Sequence, residues 1–200
     1  TFTFFQTPVI SFTVDDPDGC PIHCVQFTDA STVGGGDVIV AWLWSFGVGG
    51  AANITQNPAN CYENTGFYDV TLTATSNNGC TSSLTMPAYI QVFPVPVADF
   101  TPTPQPASIL DPTVTLNNAS SSDVTAWWYY FGDGDSISPN VSSPIHVYPD
   151  AASSTYYATL IVQNSYGCID TVVHPVEIGP EFTFFIPNAF TPNGDGTNDF

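Results

Sequence analysis

Apolar side chains recur at every second position in several short segments of the chain. The clearest segment ends at Phe46 and is followed by the turn-forming run from Gly47 to Gly50. Period-two alternation is typical of a β-strand with one side against a core. The pattern therefore predicts a strand with these residues on its buried side: Val38, Val40, Trp42, Trp44 and Phe46.

A second alternating segment contains Val70, Leu72 and Ala74, and it ends at Asn77-Asn78-Gly79. Asn-Gly between apolar strands is a strong signal for a β-hairpin. The 18 Pro and 15 Gly interrupt the chain too often for long helices. We predict an all-β protein.

The chain repeats itself. Pro8-Val9-Ile10-Ser11-Phe12-Thr13 matches Pro96-Val97-Ala98-Asp99-Phe100-Thr101, and Gly79-Cys80 matches Gly167-Cys168, both 88 residues apart. Matches in one order at nearly one offset indicate tandem domains. The predicted segments are an N-terminal strand or linker (1–7), domain 1 (8–94), domain 2 (95–180) and a C-terminal segment (181–200).

Short strands at this spacing predict an immunoglobulin-like β-sandwich for each repeat, with Trp44 in the core. Tyr68 and Tyr156 stand where such a sandwich has its tyrosine corner. The motif Phe131-Gly132-Asp133-Gly134 in one repeat and Gly66-Phe67-Tyr68-Asp69-Val70 in the other resemble the polycystic-kidney-disease-type (PKD) domain. In domain 1 Val48 replaces the turn Asp of that pattern.

The segment from Phe185 to Phe200 contains Pro-Asn-Ala-Phe-Thr-Pro-Asn-Gly-Asp-Gly and resembles the start of a gliding-motility-associated C-terminal domain. This domain family is the type B sorting signal of type IX secretion. The resemblance implies a truncated sorting domain at 181–200, a bacterium of the Bacteroidetes phylum, and an extracellular or outer cell-surface location. Thr1 is not an initiator Met, so we expect a processed chain or a piece of a longer one.

Five cysteines in a chain that resembles exported proteins predict disulfides. The resemblance to PKD-like repeats implies a Cys24–Cys80 bond, which leaves Cys20 to bond with Cys61. Four cysteines allow three pairings, so the connectivity stays open. Cys168 is left over, either as a buried free thiol or as a bond to another subunit.

Oxygen-bearing side chains alternate near the C-terminus, at Asn193, Asp195, Thr197 and Asp199. This spacing is that of the early ligands of a calcium loop, although no bidentate Glu follows and Asn-Gly-Asp-Gly also forms a tight turn. The acidic groups around Asp16 and at Asp133 and Asp135 are weaker cases. Structural calcium is the one cofactor considered, and no catalytic motif is present.

The chain has no Lys or Arg and a formal charge of -18. Without cationic side chains it cannot neutralise phosphates or anionic lipid, which argues against nucleic acid and membrane partners. No apolar run is as long as a membrane span. The remaining partners are other copies of the chain, other surface proteins and glycans.

Aromatic side chains supply the candidate contacts. Trp127, Trp128, Tyr129 and Tyr130 are consecutive, so a strand must direct two of them away from the core, where they could stack on sugar rings. The apolar N-terminal residues Phe2, Phe4 and Phe5 could complete a sheet of a neighbouring subunit. The sorting-domain resemblance also implies O-glycans at Ser136 and Thr171, within Asp-Ser/Thr-apolar motifs.

These observations predict a non-enzymatic structural or adhesive surface protein, either a fibre subunit or the C-terminal part of a large secreted adhesin. One alternative is a glycan- or protein-binding accessory module of a secreted hydrolase. The other is a plain spacer stalk.

Overall fold

The structure is a computed structural model that describes residues 5–50, 52–137, 139–149 and 153–180. All regular elements in these ranges are β-strands, and none of the described segments forms a helix with the length and apolar character to cross a membrane. We call the unit built from strands β1 to β7 domain 1 and the unit built from β8 to β15 domain 2.

Domain 1 contains two sheets, with strand orders β1-β3-β5 and β2-β7-β6-β4. Its strands are β1 (Phe12–Val14), β2 (Asp18–Gly19), β3 (His23–Asp29), β4 (Ile39–Ser45), β5 (Ala59–Tyr62), β6 (Gly66–Ser76) and β7 (Thr81–Val92). Both sheets contribute to one buried cluster, which includes Phe27, Trp44, Tyr62 and Leu72. The domain is therefore a two-layer sandwich with a core rich in aromatic residues.

Domain 2 repeats this arrangement with sheets of order β13-β10-β8 and β12-β11-β14-β15-β9. Its strands are β8 (Phe100–Thr103), β9 (Ala107–Ser108), β10 (Thr113–Asn118), β11 (Val124–Tyr130), β12 (Ser136–Ile137), β13 (Ile145–Val147), β14 (Ser154–Asn164) and β15 (Ile169–Gly179). A separate buried cluster fills it, with Phe100, Leu116, Tyr129 and Leu160 among its members. Two cores in one chain confirm the all-β fold of two immunoglobulin-like sandwiches.

The buried faces of the strands follow the alternation in the sequence where pairing is regular. Val70, Leu72 and Ala74 of β6 are fully buried, and so is Trp44 of β4. The Tyr68 hydroxyl donates to the Asn64 carbonyl at 2.6 Å, the contact of a tyrosine corner. Gly79 adopts a φ of 81° in the turn after β6, as the hairpin signal predicts.

The prediction of a single buried side is wrong at the start of β4. Val38 and Val40 are more than half exposed. The register of β4 against β6 shifts between Ile39 and Ala41. Such a bulge interrupts the alternation, so only the residues from Trp42 onward keep the predicted facing.

Two glycines in the turn after β11 allow a matched test of this fold. Gly132 has a φ of 89°, and a Cβ there would lie 2.7 Å from the Tyr157 carbonyl oxygen. Gly134 has a φ of 109° but has open space around its Cβ position. We expect Gly134→Ala to lower the free energy of unfolding of domain 2 by roughly 1–2 kcal/mol, the cost of placing a side chain on a backbone with positive φ. Gly132→Ala should lower the free energy of unfolding further, because the new Cβ would also push against the Tyr157 backbone of β14.

Urea unfolding of both variants, followed through amide resonances of domain 2, measures this difference. Equal destabilisation by the two substitutions would show that the contact between the turn and β14 is not tight.

Candidate functional site

The disulfides join different cysteines from those that the sequence predicted. Cys24 is bonded to Cys61, and these residues lie directly opposite each other on β3 and β5. Both lie at exposed positions on the outer side of that sheet, while their neighbours Val25 and Tyr62 face the core. The predicted Cys24–Cys80 bond is wrong because Cys24 points away from the β6–β7 hairpin, on the opposite sheet.

The second disulfide joins the two domains. Cys20 is bonded to Cys168, with a Cα–Cα distance of 5.5 Å and a sequence separation of 148 residues. The predicted Cys20–Cys61 bond and the leftover status of Cys168 are therefore also wrong. Among the described cysteines Cys80 is free and partly exposed.

Noncovalent contacts surround the Cys20–Cys168 bond. The rings of Phe93 and Tyr166 stack with centroids 4.4 Å apart and planes 10° from parallel. Asn164, which is 3% exposed, donates from Nδ2 to the Pro94 carbonyl at 2.9 Å. Its Oδ1 accepts the Cys168 amide at 3.1 Å. These contacts hold the end of domain 1 and the proline-rich connector against the β14–β15 turn.

We call this set of residues the interdomain junction: Cys20, Phe93, Pro94, Asn164, Tyr166 and Cys168. Local sequence signals do not identify it, because its cysteines lie in different repeats. The one available signal is the 88-residue offset, which places Cys168 at the position of Cys80. The sequence of domain 2 contains no second cysteine, so a partner for Cys168 has to come from outside that domain.

The four consecutive aromatic residues of β11 alternate between the two sides of the sheet. Tyr129 is fully buried, and Trp127 packs against the domain 2 core. The prediction that two of the four point away from the core agrees with this arrangement, but Trp127 is not one of them. Trp128 and the half-exposed Tyr130 occupy the outer side.

Tyr157 joins Trp128 and Tyr130 on the outer side of domain 2. Tyr130 lies opposite Thr159 of β14, and Tyr157, two residues earlier on that strand, shares its facing. Tyr157 is 64% exposed. We call Trp128, Tyr130 and Tyr157 the aromatic face. It is the described surface that best fits stacking on a planar or cyclic ligand.

A buried hydrogen bond between a histidine and a carboxylate lies at the turn after β11. His146 Nε2 is 2.7 Å from Asp133 Oδ2, with side-chain exposures of 11% and 5%. The imidazole stacks on Phe131 at 3.9 Å, and Asp133 Oδ1 accepts the Asp135 amide. Ligand-type atoms of Asp133, Asp135 and His146 lie within 4.8 Å of one another. The sequence identified the two carboxylates as a weak candidate metal pair but missed His146.

Burial acts to raise the pKa of Asp133, but hydrogen bonds from His146 and from the Asp135 amide outweigh it and leave the pKa below its ordinary value of 3.8. The carboxylate therefore stabilises domain 2 as an anion.

Several predicted sites are exposed or lie outside the described residues. Ser136 and Thr171, the predicted glycosylation sites, are exposed on β12 and β15. Phe5 is 53% exposed. Phe2 and Phe4, the sorting segment 181–200, and the calcium candidates Asn193, Asp195, Thr197 and Asp199 all fall outside the described ranges.

Comparison with protein families accounts for both repeats. The family described as the PKD domain matches residues 6–92 and 94–178. The chain belongs to this family and contains two copies of its domain in tandem. PKD domains are non-catalytic immunoglobulin-like modules. A search of the curated proteins finds no match.

Solved structures that are similar to this chain include single PKD domains. The PKD1 domain of Vibrio anguillarum Epp is 21% identical, with a TM-score of 0.37, over 44% of this chain and 98% of that one. The PKD1 domain of the Vibrio cholerae metalloprotease PrtV is 25% identical, with a TM-score of 0.36, over 42% and 98%. A carbohydrate-binding module from the β-sandwich superfamily is 15% identical, with a TM-score of 0.42, over 88% and 80%.

The Asp133–His146 pair predicts an acid sensitivity specific to domain 2. The folded-state pKa of Asp133 is lowered, so its contribution to stability is present above the ordinary value of 3.8 and is lost as pH falls through the folded-state value. We expect Asp133→Asn to destabilise domain 2 at pH 6 and to change its stability little at pH 2.

Urea midpoints of domain 2 resonances at the two pH values measure the effect. Asp111→Asn, at an exposed carboxylate of the same domain, serves as the control and should shift neither midpoint. If Asp133→Asn lowered the urea midpoint equally at pH 2 and pH 6, the ionised Asp133 carboxylate would contribute nothing to the stability of domain 2.

Proposed function

We propose that this chain is part of an extracellular structural or adhesive surface protein, in which PKD domains in series form a fibre subunit or the end of a large adhesin. The observation that supports this most directly is the Cys20–Cys168 bond. A bond between two domains limits their separation, which a load-bearing protein needs and a soluble binding module does not.

The disulfides also support a location outside the cell. Disulfides persist in oxidising compartments and are rare where thiols are kept reduced. Four of the five cysteines are paired in two disulfides. The absence of Lys and Arg removes every cleavage site for trypsin-like proteases, which suits a long-lived surface protein.

The bond sets the path of a pulling force. Tension applied to the two ends passes from the N-terminal segment through Cys20 to Cys168 and on into β15. The 148-residue separation means that most of both cores lies inside the closed covalent loop and outside this path. Unfolding of those cores cannot lengthen the chain while the bond is intact.

Electron microscopy of the negatively stained full chain, prepared without reductant, tests the fibre role. We expect filaments of regular repeat, and we expect the Cys20→Ser/Cys168→Ser double variant to form fewer or irregular ones. The Cys24→Ser/Cys61→Ser double variant is the matched control, because it removes a disulfide within one domain. Separate short particles in every preparation would contradict a fibre subunit.

The aromatic face favours a second function, an accessory module that binds glycans. Outward aromatic rings stack on sugar rings, and Tyr130 and Tyr157 are at least half exposed. We expect Trp128→Ala to weaken retention on insoluble polysaccharide about tenfold, the loss of one stacking contact of ~1.4 kcal/mol. Phe67→Ala, at an exposed aromatic residue of domain 1, is the control. Equal retention of the Trp128→Ala variant and the unaltered chain would exclude the aromatic face as the glycan site.

A further inference from the structure

Cys80 and Cys168 occupy the same position in the two domains. Each follows a glycine of positive φ, Gly79 at 81° and Gly167 at 86°, in the hairpin that joins the two longest strands. The Cys80 carbonyl accepts the Ser76 amide at 2.9 Å, and the Cys168 carbonyl accepts the Asn164 amide at 3.0 Å. The two hairpins therefore present their thiols at the same place on each domain.

The partner of Cys168 also has an equivalent position in the other domain. Cys20 follows β2, which pairs in parallel with the end of β7, Gly19 opposite Val92. In domain 2, β9 pairs in the same way with the end of β15, Ala107 opposite Ile178. Ile178 is the counterpart of Val92, because Val176 lies opposite Tyr156 as Ile90 lies opposite Tyr68. The residue after Ala107 is Ser108, so domain 2 has serine where domain 1 has Cys20.

Domain 1 thus has a cysteine at both positions that the interdomain bond uses, Cys20 and Cys80. Domain 2 has a cysteine only at the second position, Cys168. Cys20 is used to reach domain 2, and Cys80 is free and partly exposed. Phe5 lies three residues before Pro8, as Phe93 lies three residues before Pro96. It is 53% exposed, while Phe93 stacks on Tyr166. The hairpin of domain 1 therefore shares the turn glycine and the cysteine of the domain 2 hairpin, while Ser76 and Asn78 stand where domain 2 has Asn164 and Tyr166.

We propose that Cys80 receives a disulfide from another PKD domain that carries a cysteine in the Cys20 position and docks on domain 1 as domain 1 docks on domain 2. That domain belongs either to the same polypeptide, ahead of domain 1, or to a second polypeptide. The inference rests on the proposed structural role, because it extends the same bond along a series of domains.

The bond forms by exchange with a disulfide oxidant. The Cys80 thiolate attacks the oxidant and forms a mixed disulfide, and the partner thiolate then displaces the oxidant's second thiol. Two protein thiols lose two protons and two electrons, and the oxidant is reduced to two thiols. A second unaltered copy of this chain cannot supply the partner, since its Cys20 is already bonded to Cys168.

The substitution Ser108→Cys supplies the missing cysteine in the full chain. It places a thiol at the Cys20 position of domain 2, so that domain 2 of one copy can bond to Cys80 of the next. In a glutathione redox buffer we expect a ladder of disulfide-linked multimers on a non-reducing gel. Adding Cys80→Ser to the same chain should abolish the ladder.

The matched control is Leu110→Cys, two residues further along the chain, where the side chain is 75% exposed. We expect it to form multimers at least tenfold more slowly, because its thiol lies outside the position that the junction uses. Equal rates for the two variants would overturn the proposal, and so would an equally fast Cys80-dependent dimer of the unaltered chain. Ser108→Cys chains that stay monomeric, while folded and with both free thiols titratable, would overturn it too.

Protein isolated from its natural source under alkylating conditions distinguishes the two origins of the partner. Reduction that releases a second polypeptide from Cys80 identifies a separate chain, and reduction that releases none identifies a domain of the same chain. Alkylation of Cys80 before any reduction would contradict the proposal. Filaments of the unaltered chain, together with no multimer ladder from Ser108→Cys, would reject this inference alone. A ladder without filaments would reject the fibre role alone.

Discussion

The bond between Cys20 and Cys168 determines how the two domains work together. It fixes the end of β2 against the β14–β15 hairpin, where the Phe93–Tyr166 stack and the Asn164–Pro94 hydrogen bond also lie. Tandem PKD domains joined only by a short connector would be free to reorient. With the bond in place, the connector is one of two covalent links between the same pair of domains.

The two domains anchor equivalent strands, β5 and β13, by different chemistry. In domain 1 the Cys24–Cys61 disulfide crosses from β3 to β5. The equivalent pair in domain 2, on β10 and β13, is Thr113 opposite Val147. There the neighbouring His146 forms a buried hydrogen bond with Asp133 instead. Domain 1 has Val48 at the turn position of Asp133, so each domain carries one of the two devices.

The fold could be predicted from the sequence because burial and turns are local signals. Leu72 and Trp44 are buried where alternation places them, and Gly79 forms its turn. The facing of Val40 could not be predicted, since a bulge depends on pairing with a partner strand. The disulfides were predicted wrongly for a similar reason: whether Cys24 faces the core or the solvent depends on register, which a count of cysteines does not contain. The 88-residue repeat did place Cys168 correctly, but its partner lies in the other domain.

Single-molecule stretching of the chain between its two ends tests the load-bearing junction most directly. The account predicts that the fully stretched oxidised chain is about 500 Å shorter than the reduced one, because the 148 residues between Cys20 and Cys168 stay inside a closed loop. Without reductant, the Cys20→Ser/Cys168→Ser double variant should stretch to about 125 Å short of the reduced length, because Cys24–Cys61 still closes a loop of 37 residues. An oxidised chain that already extends to that length would contradict the interdomain bond and the structural role that rests on it.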